Sequence, residues 1–306
     1  MGRAPKRPFV STSQLRRRRS SCRAARMLGL GSDAIVEVGS DELGRIRADA
    51  LEQALAASEN PAIVVLQAGE LCTGAFDDFA TLIPVARAAG AWVHVDGAIG
   101  LLAAASRVRR HLVSDVELAD SWATDGHKWL NTPYDCGLAF TVHPEAHRAA
   151  LTQEASYMAP SAAREELDWN PEFSRRARGF PLYAAMRQLG REGLEALVDR
   201  ASEHCSALVH GIAALPGVEQ LSEPVINQGL VRFLDPRPGA SGEDHDRRTD
   251  QVIAAICAGG EAFFGGANWR GQRAMRISVS NWRTSEEDVR RTIAAVAQAM
   301  GRNEPG

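Results

Sequence analysis

The sequence predicts an α/β protein: a mostly parallel sheet sandwiched by helices, followed by a smaller C-terminal α+β domain. Three observations lead there. The stretches Trp92-Val-His-Val-Asp96 and Asp120-Ser-Trp-Ala-Thr-Asp-Gly-His127-Lys128 read as short strands whose functional polar residues arrive at the C-terminal end, where open α/β sheets keep their crevices. Asp96 and Lys128 lie 32 residues apart, about one strand–helix–strand step of a parallel sheet. After Gly217 the pattern changes to a strand pair, a helix, a further strand and a closing helix, which is the order of a small α+β unit.

Taken in order, residues 1 to 19 are basic, serine-containing and free of acidic side chains, with Arg16 to Arg19 in one run. Such a start cannot build a core. It reads as a divergent, disordered beginning, or as a transit peptide, nuclear signal or nucleic-acid arm, and it lacks the apolar stretch of a secretory signal. Ala34 to Val38 reads as a strand, Asp41 to Ile46 as a turn, Ala48 to Leu55 as a helix and Pro61 to Gln67 as a buried strand. Thr73, in the loop that follows, reads either as a turn hydroxyl or as a crevice residue. Asp77-Asp78 open a helix from Phe79 to about Ala89, which Gly90 closes.

Gly137 to Val142 is a further strand, and Glu154 to Pro171, without periodicity, is a long loop. Arg175, Arg176 and Arg178 either bind a carboxylate of a ligand or pair with acidic residues at a helix end. Helices are expected from Pro181 to Leu189, ending at Gly190, and from Leu194 to Ala213. Gly217 to Leu221 and Gln228 to Phe233 form the strand pair, Pro236 to Asp246 a loose connection, and Thr249 to Ala258 a helix. The glycine pairs at 259–260 and 265–266 read as turns. Ala274 to Ser280 is a strand, and the last helix starts at a Thr284-Ser-Glu-Glu287 capping box and packs through Val289, Ile293, Val296 and Met300.

Composition narrows the function classes. With 306 residues, 45% hydrophobic and 24% charged, the chain can build a sizeable core. A net charge of −3 gives no reason to expect a nucleic-acid or membrane partner, and no apolar run reaches spanning length. Five scattered cysteines without a CxxC pair read as reduced thiols of a cytoplasmic protein. No HExxH or paired-ligand spacing points to a metal, and no GxSxG, P-loop or strand-following GxGxxG is present.

Lys128 stands apart. Only Lys6 and Lys128 are lysines among the 35 cationic Lys and Arg residues. A guanidinium stays protonated, whereas a lysine amine can lose its proton and bond covalently to a carbonyl, so Lys128 is a candidate covalent catalyst. The alternative is a lysine left by chance in an arginine-rich composition.

The sequence His94-Val-Asp96-Gly-Ala98, then Asp120-Ser121, then His127-Lys128-Trp129 with Asn131-Thr-Pro-Tyr-Asp135-Cys-Gly137, resembles the pyridoxal-phosphate-dependent group II amino acid decarboxylases, of the aminotransferase-like fold type I. The resemblance implies pyridoxal 5'-phosphate as cofactor, with Asp96 at the pyridinium nitrogen, Ala98 against one ring face, Lys128 as the covalent attachment and His127 beside the cofactor. Against these stand a strand-end aspartate capping its turn and a histidine packed on Trp129. The resemblance further implies an L-amino acid substrate, loss of its α-carboxylate, and a homodimer. It places a large cofactor-binding domain at 20–180, incomplete at its start, and connecting helices with the small domain at 181–306.

The chain also departs from the family pattern. The stacking histidine falls on Arg18 when Ser20 is aligned with the family's serine, and Glu70 and Leu71 stand where threonines are common. No segment for the glycine- and serine-rich phosphate loop precedes it, so weak cofactor binding by the isolated chain is expected. Transamination or other Cα chemistry on the same fold, and an inactive fragment, remain the alternatives to decarboxylation.

Overall fold

A computed structural model describes residues 9–11, 19–58, 60–152 and 164–301. Its strands are β1 (Phe9–Ser11), β2 (Ile35–Glu37), β3 (Ile63–Gln67), β4 (Trp92–Asp96), β5 (Ser121–Asp125), β6 (Gly137–Thr141), β7 (Val218–Gln220), β8 (Gln228–Phe233), β9 (Gly265–Trp269) and β10 (Gln272–Ser278). Its helices are α1 (Arg19–Met27), α2 (Ala48–Ala56), α3 (Phe79–Ala88), α4 (Pro144–Leu151), α5 (Gly179–Ala213), α6 (Gly242–Gly259) and α7 (Glu286–Gly301). Six strands form one sheet in the order β2-β1-β3-β4-β5-β6, and four form a second in the order β7-β8-β10-β9. The first sheet is parallel except for β6, which runs antiparallel to β5; the second is antiparallel throughout.

Strand alternation divides the central strands into two faces. Val64, Leu66, Val93 and Val95 share one face, all without exposure, in a core cluster that also holds Leu82, Ile83 and Ala86 of α3 and Leu51 of α2. Burying branched apolar side chains of this kind is worth about 1.5–3 kcal/mol each. The opposite face carries Ile63, buried Val65 and Trp92 toward the start of β3 and β4, and Gln67, His94, Asp96, Ser121, Ala123, Asp125 and Ala139, polar or small residues in register across β3 to β6. The candidate site residues thus gather on this second face, at the C-terminal ends of its strands.

Several expectations need correction. Phe9–Ser11 is a strand between β2 and β3, not part of a structureless start, because two neighbouring strands offer it backbone partners that local composition does not reveal. The rest of that start, 1–8 and 12–18, with Arg18, lies outside the described residues, as does 153–163 of the expected loop; Glu166–Trp169 is a turn of 3-10 helix. Asp77 does not open a helix: it is buried and accepts hydrogen bonds from the backbone N–H groups of Ile46 and Gln67, both at 2.7 Å, while Asp78 caps α3 through Thr81 N–H.

The segment read as a loose connection becomes helical at Gly242, where Ser241 and Asp244 form a reciprocal capping box. At α7 the box is one residue later than expected: Ser285 and Asp288, not Thr284 and Glu287, exchange the capping bonds. Gly265-Gly266 belongs to β9, whose hairpin to β10 turns through Arg270 and Gly271, both at positive φ, as a two-residue primed turn requires. The break at Gly190 stands: it interrupts α5 with φ 62° and ψ −171°, a conformation open to glycine.

Candidate active site

Two turns at the C-terminal ends of β4 and β5 build the site. Asp96 ends β4, and its Oδ1 accepts the N–H of Ala98 at 3.2 Å, so it does cap the turn that presents Ala98. Gly97 N–H donates to Ala123 O at 2.8 Å, and Thr124 Oγ1 donates to Gly97 O at 3.0 Å, which ties this turn to β5. A Cβ at Gly97 would stand 2.5 Å from Leu101 Cβ and 3.0 Å from Ala123 O, so only glycine allows the close approach.

His127 and Lys128 follow β5 in a turn held from three sides. Trp129, 1% exposed, donates its indole N–H to Ile99 O and thereby joins the Lys128 turn to the one after Asp96. Asn131, at φ 50°, directs its side-chain amide to the carbonyls of Lys128, Trp129 and, from the second sheet's side, Ser280, at 3.1, 2.8 and 2.8 Å. The His127 ring lies against Tyr134, with centroids 4.3 Å apart, and not against Trp129; its Nδ1 meets the N–H and carbonyl of Cys136 at 3.2 and 3.0 Å.

The charges of the site concentrate on one face. Lys128 Nζ lies 2.9 Å from Asp125 Oδ2, and the lysine side chain keeps 32% of its exposure. His94 shares the face with Asp96; its Nδ1 is 2.8 Å from Ser121 Oγ, which also accepts the Trp92 indole N–H at 2.8 Å. Burial pushes the His94 pKa down, against a smaller opposing pull from Asp96, so the imidazole is neutral near pH 7.

The structure therefore brings Asp96, Ala98, His127 and Lys128 to adjacent strand ends and adds Asp125 and His94. Asp125 had one sequence signal, its spacing of three residues from the lone body lysine. Thr73 turns away: it is 1% exposed and donates to Leu43 O at 2.9 Å, the turn-hydroxyl role. The arginines are paired, Arg176 with Asp135, Arg178 with Asp135 and Glu172, and Arg175 with Glu166 at 3.8 Å.

Comparison with known sequences now decides the family. Residues 4–234 match the pyridoxal-dependent decarboxylase conserved domain. The chain belongs to the pyridoxal-dependent decarboxylase family. L-2,4-diaminobutyrate decarboxylase of Rhizobium meliloti is 27% identical over 285 residues, covering 90% of this chain and 57% of that protein. Aspartate 1-decarboxylase of Aliivibrio fischeri is 31% identical over 216 residues, covering 69% of this chain and 39% of that protein. This member of the family thus spans about half the length of the curated relatives it matches.

Solved structures agree in fold. That of mouse CSAD in apo form superposes with a TM-score of 0.88 at 23% identity, covering 97% of this chain and 64% of that one. Oryza sativa TDC with PLP and tryptamine gives 0.88 at 20% identity, covering 97% and 63%. Family membership makes pyridoxal 5'-phosphate the cofactor, and the residues fit its ring and aldehyde ends: the partly exposed primary amine of Lys128 follows β5, the carboxylate of Asp96 ends the neighbouring β4, and Ala123 and Ala139 are small side chains on the same sheet face as Asp96.

Proposed function

We propose that this chain carries the core of an enzyme that removes the α-carboxylate of an L-amino acid with pyridoxal 5'-phosphate. The observation that carries the reading is the placing of Lys128 and Asp96 at the C-terminal ends of neighbouring parallel strands, tied together through Trp129 and Ile99. Bound there, the cofactor supplies an electron sink for the pair left on Cα when the bond to the carboxylate breaks and CO2 departs.

Each residue has a distinct task. Lys128 holds the cofactor's aldehyde end covalently, a task its amine can perform and arginine cannot. Asp96 keeps a proton on the pyridine nitrogen by carboxylate charge. Ala98 leaves room against the ring, and His127, fixed by Cys136, borders the same space. Decarboxylation is favoured over transamination because the matched relatives are decarboxylases of acidic, basic and aromatic amino acids.

The assembly belongs to the same reading. Phe180, Tyr183 and Met186 on the first part of α5 are 75, 64 and 50% exposed, an apolar face suited to a second copy in a homodimer. A cytoplasmic setting is supported by five scattered cysteines without a CxxC pair; burial pushes the pKa of Cys205 up to about 12. No described helix is long and apolar enough to cross a membrane. A large unit running to about 180 that includes β1, then connecting helices and a small unit over 181–306, is the domain division that goes with it.

The test is direct. Purified protein with pyridoxal 5'-phosphate is reduced with borohydride and its peptides mapped; the pyridoxyl group is expected on Lys128. The same protein is offered acidic, basic and aromatic L-amino acids labelled in the carboxyl group. Labelled CO2 with an amine product supports the reading. An oxo acid without CO2, or a pyridoxyl group on Lys6 alone, refutes it.

A further inference from the structure

Asp125 lies on the same sheet face as Asp96, two residues beyond the Ala123 that pairs with it. Its Oδ2 is 2.9 Å from Lys128 Nζ and 3.9 Å from His127 Nε2. Its Oδ1 lies over Gly137 of β6, where an added Cβ would come within 3.7 Å of it. One carboxylate thus faces both cationic-capable side chains of the turn. With 24% of the Asp125 side chain and 32% of the Lys128 side chain exposed, the pair is partly withdrawn from water and attracts more strongly than a fully hydrated one.

We propose that Asp125 is a positioning residue for Lys128: its carboxylate holds the ε-ammonium at the end of β5 and restrains the amine from reacting until the pair opens. An ammonium has no lone pair, so bond formation needs the amine to leave Asp125 and give its proton to solvent. The functional meaning rests on Lys128 as the cofactor-bearing residue; the ion pair itself does not.

The chain supplies its own control, because Lys6 is the other lysine. Trace acetic anhydride reports amine reactivity: an N–C bond forms at the acyl carbon, acetate leaves, and the amine proton passes to buffer. In Asp125→Asn and Asp125→Ala the ratio of acetylation at Lys128 to that at Lys6 is expected to rise on the order of threefold, the size a partly exposed ion pair supports. Asp125→Glu, which returns the charge, is expected to return the ratio toward wild type.

An unchanged ratio in Asp125→Asn overturns the proposal, and so does a rise shared equally by Asp125→Glu, which marks a loosened turn and not a lost charge. Should Asp125→Ala fail to fold, the near-isosteric Asp125→Asn decides. A parallel reduction with pyridoxal 5'-phosphate separates the two readings. Pyridoxyl on Lys6 alone sinks the role of Lys128, while the acetylation ratio judges Asp125 independently.

Discussion

Lys128 and Asp96 differ in what a conservative substitution removes. Lys128→Arg keeps a cation beside Asp125 but loses reversible amine chemistry, so borohydride should trap no pyridoxyl at position 128 while the circular dichroism spectrum stays that of the wild type. Asp96→Asn keeps the shape and the bond from Ala98 N–H, yet an amide cannot hold the pyridine nitrogen protonated. Turnover should fall by about 10²-fold or more while cofactor absorbance is largely retained; near-normal turnover would exclude the role. His94 gives a pH signature. Its folded pKa is depressed by burial, so the unfolded chain takes up a proton as pH falls through about 6.5 and the folded chain does not, and stability is lost in that direction. The carboxylates with lowered pKa, Asp41, Asp49 and Asp135 among them, titrate well below this window. Urea unfolding at pH 7 and pH 5 should therefore show a smaller loss in His94→Gln than in the wild type.

At the scale of elements, the site depends on how strand ends are fastened. Asp77 fastens the end of β3 to the segment before α2: buried at 4% exposure just ahead of α3, it accepts from Ile46 N–H and from Gln67 N–H. Asp77→Asn preserves volume but turns one acceptor into a donor that faces an N–H group. A loss of about 1–3 kcal/mol in unfolding free energy is expected, and a change within error would mean that the two bonds are replaced elsewhere. On the far side of the sheet, β6 closes the row antiparallel to β5 with Phe140 48% exposed. That reversal places Gly137 beside Asp125 and leaves space over the carboxylate.

For the whole molecule, hydrogen bonds link segments around the two sheets, one of them from the Lys128 turn. Asn131 reaches Ser280 O from the Lys128 turn, and Arg270 reaches Asp41 O from the β9–β10 hairpin. The exposed apolar face of α5 lies on the other side of its Gly190 break from the buried Leu197, Val198 and Ala201. If that face seats a second copy, sedimentation velocity should show association that rises with concentration in the wild type and weakens in Phe180→Glu/Tyr183→Glu. A monomer at all concentrations would refute this surface as a dimer contact.

The sequence alone determined the α/β order, the strand ends at which β4 and β5 carry their polar residues, and the residue types of the proposed cofactor site. Those properties are local: strand-length apolar runs, a helix-length spacing and a single body lysine in its motif are written along the chain. Tertiary structure decided what depends on partners distant in sequence. Phe9–Ser11 becomes a strand through neighbours 26 and more residues away, Gly265-Gly266 becomes β9 through its hairpin partner, and Arg176 and Arg178 are taken by Asp135. Asp125 belongs to both kinds. Its spacing from Lys128 is visible in the chain, but which carboxylate the amine meets, Asp125 or Asp96, is set by the turn that Trp129 and Asn131 pin in space, because an ion pair depends on distance and burial that sequence order does not contain.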